Sequence, residues 1–370
     1  MAILMLVGGL LLLIAGGEGL VRGASRLAAA LGISPLIIGL TVVAFGTSSP
    51  EFAVSLIASL SGQAGLTVGN VIGSNIFNVL FILGLSAMIT PLVISQQLVR
   101  VDVPLMVVVS LLTLLLALDG RFSQVEGLIF LVGLIGYLLL LFRISQRESA
   151  EVKEEYEHEF GAPPKPAPRQ LGLNALLAVG GLVMLGVGSR WLVRGAVEIA
   201  RTLGVGELVI GLTIIAAGTS LPEVITSVIA SLRGERDIAV GNVVGSNLFN
   251  LLGVLGLTAL VTPGGVMIPE NARTFDLPVM TAVALACIPI FFSGTKILRR
   301  EGALFFFYYL AYTAYLILEA ISHPVLPLFT QIMVGFALPV TLLTLVIVMI
   351  RVIGQRRQSR NSVTPSGATE

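Results

Sequence analysis

Apolar runs of about 20 residues, separated by short polar connections, repeat along almost the whole chain. They fall near 2–21, 35–60, 66–91, 103–118 and 125–142, then near 173–193, 207–232, 238–262, 277–293 and 303–318, with one more at about 327–350. Each run is about long enough to cross the roughly 30 Å hydrocarbon core of a bilayer as an α-helix. No water is present in that layer to satisfy peptide groups, so the predicted elements are helices throughout. The pattern predicts an all-α polytopic membrane protein with eleven spans.

Composition sharpens this. The 370 residues are 55% hydrophobic and 12% charged, with a mean hydropathy of +0.98; soluble domains carry about 25% charge. The net charge of +1, with no basic patch interleaved with aromatics, gives no reason to expect nucleic acid. A single cysteine, Cys287, lies in an apolar run, which excludes a disulfide framework or a thiolate metal site within the chain. No Lys or Arg precedes Arg22, so the first run lacks the basic start of a signal peptide and reads as a retained span.

The chain is also a duplication. Residues 39–62 match residues 211–234 at 15 of 24 positions, and residues 68–90 match 240–262 at 15 of 23, both at an offset of 172. The same offset lays LVRGA at 20–24 on LVRGA at 192–196. Whole halves are therefore repeated: 1–143 with its signature at 39–91, and 172–319 with its signature at 211–262. Five spans per half is odd, so the two copies cross with opposite orientation, the inverted-repeat plan of secondary transporters. The span within 320–350 has no counterpart in the repeat.

Charge sets the orientation. With the N-terminus outside, 17 Lys and Arg fall on the inner side and 5 on the outer, as the positive-inside rule requires. The chain is thus expected in the cell (inner) membrane, with the C-terminus cytoplasmic. Residues 144–171 read as a solvated cytoplasmic linker ending in a Pro-rich spacer, and 351–370 as a disordered cytoplasmic tail. His158 falls in the linker and His323 between the last two spans, neither with partners that would make it a ligand.

The candidate chemistry sits in the doubled signature, GTSSPE at 46–51 and GTSLPE at 218–223. Glu51 and Glu223 are the two acids deep in the expected spans, and they are repeat equivalents. A carboxylate at mid-membrane costs about 2.5–3.5 kcal/mol or more, and two would repel unless a cation or protons lay between them. Pro50 and Pro222 lack an N–H and strip a helical partner from the carbonyls of Gly46 and Gly218. The helix should break there and turn carbonyls such as those of Thr47 and Thr219 inward; the hydroxyls of Thr47, Ser48, Thr219 and Ser220 add oxygens. In the next span of each half, GNVIGSNIFN and GNVVGSNLFN place Ser74 with Asn78, and Ser246 with Asn250, four apart on one helix face. The glycines read equally well as helix-packing contacts, and the asparagines as interhelical hydrogen bonds. Carboxylate, carbonyl and hydroxyl oxygens suit Ca²⁺, and equally Na⁺, while no imidazole or thiolate favours zinc, copper or iron. Two carboxylates balance one Ca²⁺, or two Na⁺ with a third as excess charge, and mutual exclusion of the two loads is the physical basis of antiport.

These paired motifs resemble the two α-repeats of the sodium/calcium exchanger branch of the cation/calcium exchanger superfamily, of prokaryotic type, over about 320 residues. The resemblance implies ten helices in two inverted five-helix halves, with spans 2, 3, 7 and 8 as the ion-binding core and spans 1 and 6 sliding across it. It implies that Glu51 and Glu223 ligate Ca²⁺ and share sodium sites with the carbonyls of Thr47 and Thr219. Ala44, Ala216, Ser74 and Ser246 would line the outer and inner sodium positions, and Asn78 and Asn250 the central one. No cofactor is implied beyond the transported Ca²⁺ and Na⁺. Potassium-dependent relatives carry Asp where this chain has Asn250, which disfavours potassium co-transport. Proton-coupled relatives carry an acid closely following GN, whereas GN here is followed by VIGSN. The expected function is a Ca²⁺/Na⁺ antiporter. An H⁺-coupled exchanger and a cation channel are the alternatives; an enzyme lacks any nucleophile–base set.

Overall fold

The structure is a computed structural model that describes residues 1–31, 33–160, 168–203, 216–292, 296–344, 346 and 350, with the backbone alone at 147–160, 168 and 216. In chain order the first half contains α1 (Ala2–Leu31), α2 (Pro35–Thr47), α3 (Ser49–Leu60) and α4 (Ala64–Ile89). It continues with β1 (Leu92–Val93), α5 (Leu98–Asp119), β2 (Arg121–Phe122) and α6 (Gln124–Phe160). The second contains α7 (Pro168–Thr202), a helical turn at Ala216–Gly218, α8 (Leu221–Leu232) and α9 (Arg236–Val261). It continues with β3 (Val266–Met267), α10 (Ala272–Phe292), β4 (Lys296–Ile297), α11 (Arg299–Ala320) and α12 (Leu326–Thr344).

Among the described residues, nine helices are long and apolar enough to cross a membrane, and the bent pair α2–α3 makes a tenth candidate span. The chain is an integral membrane protein. Its layers follow from burial: 89% of the apolar window of α9 and 72% of that of α4 are buried, against 0% for α12. The helices carrying the polar signatures are therefore the innermost, and α12 presents its apolar face outward.

Glycine spacing brings α1 against α7. Gly9, Gly16 and Gly23 recur every seven residues on α1, as Gly181, Gly188 and Gly195 do on α7. A Cβ on Gly181 would lie 2.5 Å from the carbonyl oxygen of Gly16, and one on Gly9 2.7 Å from that of Gly188. Only small residues permit this approach.

Short antiparallel ladders tie the halves together outside the spans: β1 pairs with β4, Leu92 opposite Ile297, and β2 with β3, Arg121 opposite Met267. Gly265 turns into β3 at φ +84°, where a Cβ would collide with the Phe122 carbonyl.

Three boundaries differ from the sequence expectation. The span expected at 103–118 is Leu98–Asp119, which buries Asp102 completely and hydrogen-bonds it to the Tyr137 hydroxyl at 3.2 Å. Glu51 and Glu223 are therefore not the only buried acids; Leu98 and Val99 let the helix start earlier than the apolar run suggested. The expected linker 144–171 is helical up to Phe160 and again from Pro168, because its Glu, Ala and Lys are good helix formers; 161–167 lie outside the described residues. Likewise outside them are the tail at 351–370 and the first part of the span expected at 207–232.

Candidate ion-binding site

Each signature breaks its helix at one serine. Ser48, at φ −79° and ψ 4°, separates α2 from α3 with a bend of 44°, and Ser220, at φ −90° and ψ 8°, precedes α8. Pro50 and Pro222 then start the new helices, the position where a missing N–H costs nothing. Glu51 and Glu223 thus fall in first turns, where free backbone N–H groups favour negative charge. Both are fully buried, at 0% and 1% exposure.

The two breaks brace each other's acid. Ser220 Oγ donates to Glu51 Oε1 at 2.7 Å, and Ser48 Oγ to Glu223 Oε1 at 3.1 Å. Ser220 also reaches the Ser74 hydroxyl at 3.3 Å. The remaining oxygen of each carboxylate, Oε2, is buried with no hydrogen bond among the described residues. A buried charge-bearing oxygen without a partner is costly.

Two asparagines hold the broken segments. Asn70 Nδ2 donates to the Glu51 carbonyl at 3.2 Å and to Ser55 Oγ at 2.9 Å; Asn242 Nδ2 donates to the Glu223 carbonyl at 3.4 Å and to Ser227 Oγ at 3.0 Å. Their carbonyl oxygens accept from the facing half, Asn70 from Thr219 at 3.4 Å and Asn242 from Thr47 at 2.9 Å. The threonine hydroxyls are therefore engaged, which leaves the main-chain carbonyls as the oxygens that Thr47 and Thr219 could offer. Ser189 Oγ takes up the Gly218 carbonyl at 2.5 Å.

Between α4 and α9 lies a knot of four asparagines. Asn78 Nδ2 donates to Asn247 Oδ1 at 3.0 Å, and Asn250 Nδ2 to Asn75 Oδ1 at 3.1 Å. With their amide nitrogens committed, Asn78 and Asn250 keep carbonyl oxygens that are buried and have no hydrogen bond among the described residues, as does the Ser246 hydroxyl. Both asparagines sit where wide π turns interrupt the spans, at Asn78–Leu83 and Phe249–Leu255, a feature frequent at functional sites.

Of the residues expected at the site, Glu51, Ser220, Ser74 and Thr219 share one set of hydrogen bonds and Glu223, Ser48 and Thr47 a second, while Asn78 and Asn250 belong to the asparagine knot. Ala44 is buried where a Cβ on Gly245 would meet it at 2.7 Å, so that glycine is a packing contact. The Ala216 side chain lies outside the described residues. Sequence reasoning missed Asn70, Asn242, Asn75, Asn247, Ser55 and Ser227; the doubled GN and SN dipeptides were the available signal. Among the described residues no group of three or more His, Cys, Asp or Glu converges. His323 accepts a bond from the Val325 N–H at 3.2 Å on the surface.

Broken spans, paired buried acids and a surrounding shell of neutral oxygens define a membrane cation transporter. The chain belongs to the sodium/calcium exchanger protein family, whose model matches residues 1–143 and 173–318. It is 41% identical over 280 residues to the putative antiporter CaxA of Alkalimonas amylolytica, covering 76% of this chain and 86% of that one. It is 31% identical over 339 residues to the sodium/calcium exchanger MaX1 of Methanosarcina acetivorans, covering 84% and 96%. Among solved structures, the sodium-calcium exchanger NCX_Mj superposes with a TM-score of 0.72 at 30% identity, covering 85% of this chain and 97% of that one. Membership makes this chain a cation exchanger and not an enzyme.

Proposed function

We propose that the protein exchanges Ca²⁺ for Na⁺ by alternating access at a site formed by Glu51 and Glu223. The observation that carries this reading is the set of buried oxygens without a hydrogen bond among the described residues: Oε2 of both glutamates, Oδ1 of Asn78 and Asn250, and the Ser246 hydroxyl. Such oxygens are expected to hold a hard cation, and the main-chain carbonyls of Thr47 and Thr219 extend the set toward the six to eight ligands that calcium takes. Ala44, Ala216, Ser74 and Ser246 are the proposed flanks of the sodium positions. Two carboxylates can neutralise one Ca²⁺ or hold Na⁺, so one load displaces the other.

The inverted arrangement is supported by the ladders. Pairing of β1 with β4 requires an even number of crossings between residues 93 and 296, and pairing of β2 with β3 an even number between 122 and 266. Two five-span halves in opposite orientation meet both conditions. With the bias of positive charge, the β1–β4 ladder is cytoplasmic and the N-terminus outside.

The test is uptake of ⁴⁵Ca into proteoliposomes. Sodium-loaded vesicles should accumulate calcium at the expense of an outward sodium gradient, and an imposed pH gradient should not replace it. Uptake driven by pH alone would favour proton coupling, and uptake with no counter-ion a channel.

A further inference from the structure

The two faces of the site are unequal, and three differences between equivalent positions of the repeat accompany it. On the face proposed as cytoplasmic, α1 closes against α8: a Cβ on Gly17 would lie 2.8 Å from both Ile225 and Ile229. Polar contacts seal this end. Glu18 accepts from Arg233 Nε at 2.6 Å and pairs with Arg22 at 2.5 Å, and Ser25 donates to Glu235 at 2.6 Å. The offset of 172 carries Glu18 to Arg190, Ile225 to Ala53 and Arg233 to Ser61. The equivalent seal on the other face therefore lacks its acid, its base and one of its two isoleucines, Ile57 remaining as the counterpart of Ile229. A cavity of about 160 Å³ lies there between α7 and α3, lined among others by Gly46, Pro50, Ala53, Leu185, Arg190 and Pro222. It reaches the residues directly preceding both glutamates. Arg190 is the one charged side chain in its lining, and it has no ion pair or hydrogen bond among the described residues.

We propose that this cavity is the outer approach to the ion site and that Arg190 sets its electrostatic field, lowering the outer face's apparent affinity for cations. The inference rests on the exchange reading for its transport consequence, but not for the field itself. A fixed positive charge repels an ion in proportion to the ion's charge. If Arg190 weakens outer Na⁺ binding on the order of twofold at low salt, it weakens Ca²⁺ by the square of that, about fourfold. The residue would thus tune which cation wins at the outer face, as well as the affinity for both.

The field can be read without transport. Ala53→Cys, made in a Cys287→Ala background and purified in detergent so that both faces are accessible, should react with small thiosulfonates. The anionic reagent should outpace the cationic one, and Arg190→Gln should lower that ratio on the order of fourfold. Arg190→Lys should restore it, and about 1 M salt, with a Debye length near 3 Å, should abolish it. An Ala53→Cys thiol that does not react, or a ratio unmoved by Arg190→Gln, overturns the proposal. In proteoliposomes, Arg190→Gln should lower the half-saturating outer Ca²⁺ more than the outer Na⁺, and equal or absent shifts overturn the affinity role. A protein with Arg190 intact that shows the labelling ratio but no sodium-driven exchange would leave the field in place and sink the antiport reading alone.

Discussion

Ser220 donates a 2.7 Å hydrogen bond to Glu51, a residue 169 positions earlier in the chain, and Ser48 returns the same contact to Glu223 at 3.1 Å. Each helix break therefore orients the acid of the opposite half and leaves that acid one oxygen without a hydrogen bond among the described residues.

The first prediction follows from that oxygen. Glu51→Gln and Glu223→Gln keep size and hydrogen bonding but remove half of the site's negative charge. Truncating one partner of a buried, hydrogen-bonded charge interaction costs binding about 2–5 kcal/mol, which corresponds to a loss of about 30-fold or more in calcium affinity. Exchange should nearly vanish for both, while the proteins purify with unchanged thermal stability. Near-normal ⁴⁵Ca exchange by either variant would remove the carboxylates from the site.

The bracing serines should have a smaller effect. A hydrogen bond to a charged group contributes about 1.5–3 kcal/mol, so Ser48→Ala and Ser220→Ala should each weaken calcium binding roughly tenfold or more, by similar factors. Half-saturation measurements on the two variants check this, and a large effect in one only would argue against equivalent roles.

Asn250 offers an oxygen but no charge. Asn250→Asp adds a negative charge to a cation site and should change ion preference or coupling, whereas Asn250→Ala should mainly weaken the dependence on sodium. If both variants transport as the wild type does, the asparagine knot is packing.

The α1–α7 contact predicts a stability effect. Gly181→Leu places atoms where the α1 backbone lies 2.5 Å away, while Gly180, with nothing within 4 Å, serves as the control. Overpacking costs about 1–3 kcal/mol, so Gly181→Leu should lower Tm in detergent and Gly180→Leu should not.

On the sealed face, Arg233→Gln removes the base that holds Glu18. A cysteine placed at Ile225 should then react faster with thiol reagents than in the Arg233 background. An unchanged rate would show that Arg233 does not help to close this end.

Much of this molecule was legible one residue at a time. A carboxylate is expensive in hydrocarbon, so Glu51 and Glu223 stood out as candidates in the bare sequence, and the structure buries both; their repetition at a constant offset pointed to two related halves. Proline's missing N–H placed the helix breaks, which the structure locates at Ser48 and Ser220. These readings were open to the sequence because each depends on a residue's own chemistry or on spacing along the chain.

What the sequence could not decide was which polar groups face one another across helices. Asn70 and Asn242 look alike in the chain and alike to packing residues, yet the bonds from Thr219 and Thr47 show that they bridge the halves. Asp102 stood at the edge of an apolar run, and only tertiary packing buried it beside Tyr137. The unequal faces also needed three dimensions: Glu18 and Arg190 are equivalent by offset, but one is sealed by Arg233 and the other lines a cavity. The physical reason is that solvation and helix propensity are local properties, written residue by residue. Hydrogen-bond partnership and cavity shape depend instead on which surfaces meet, and the chain specifies those only once all of its helices have packed.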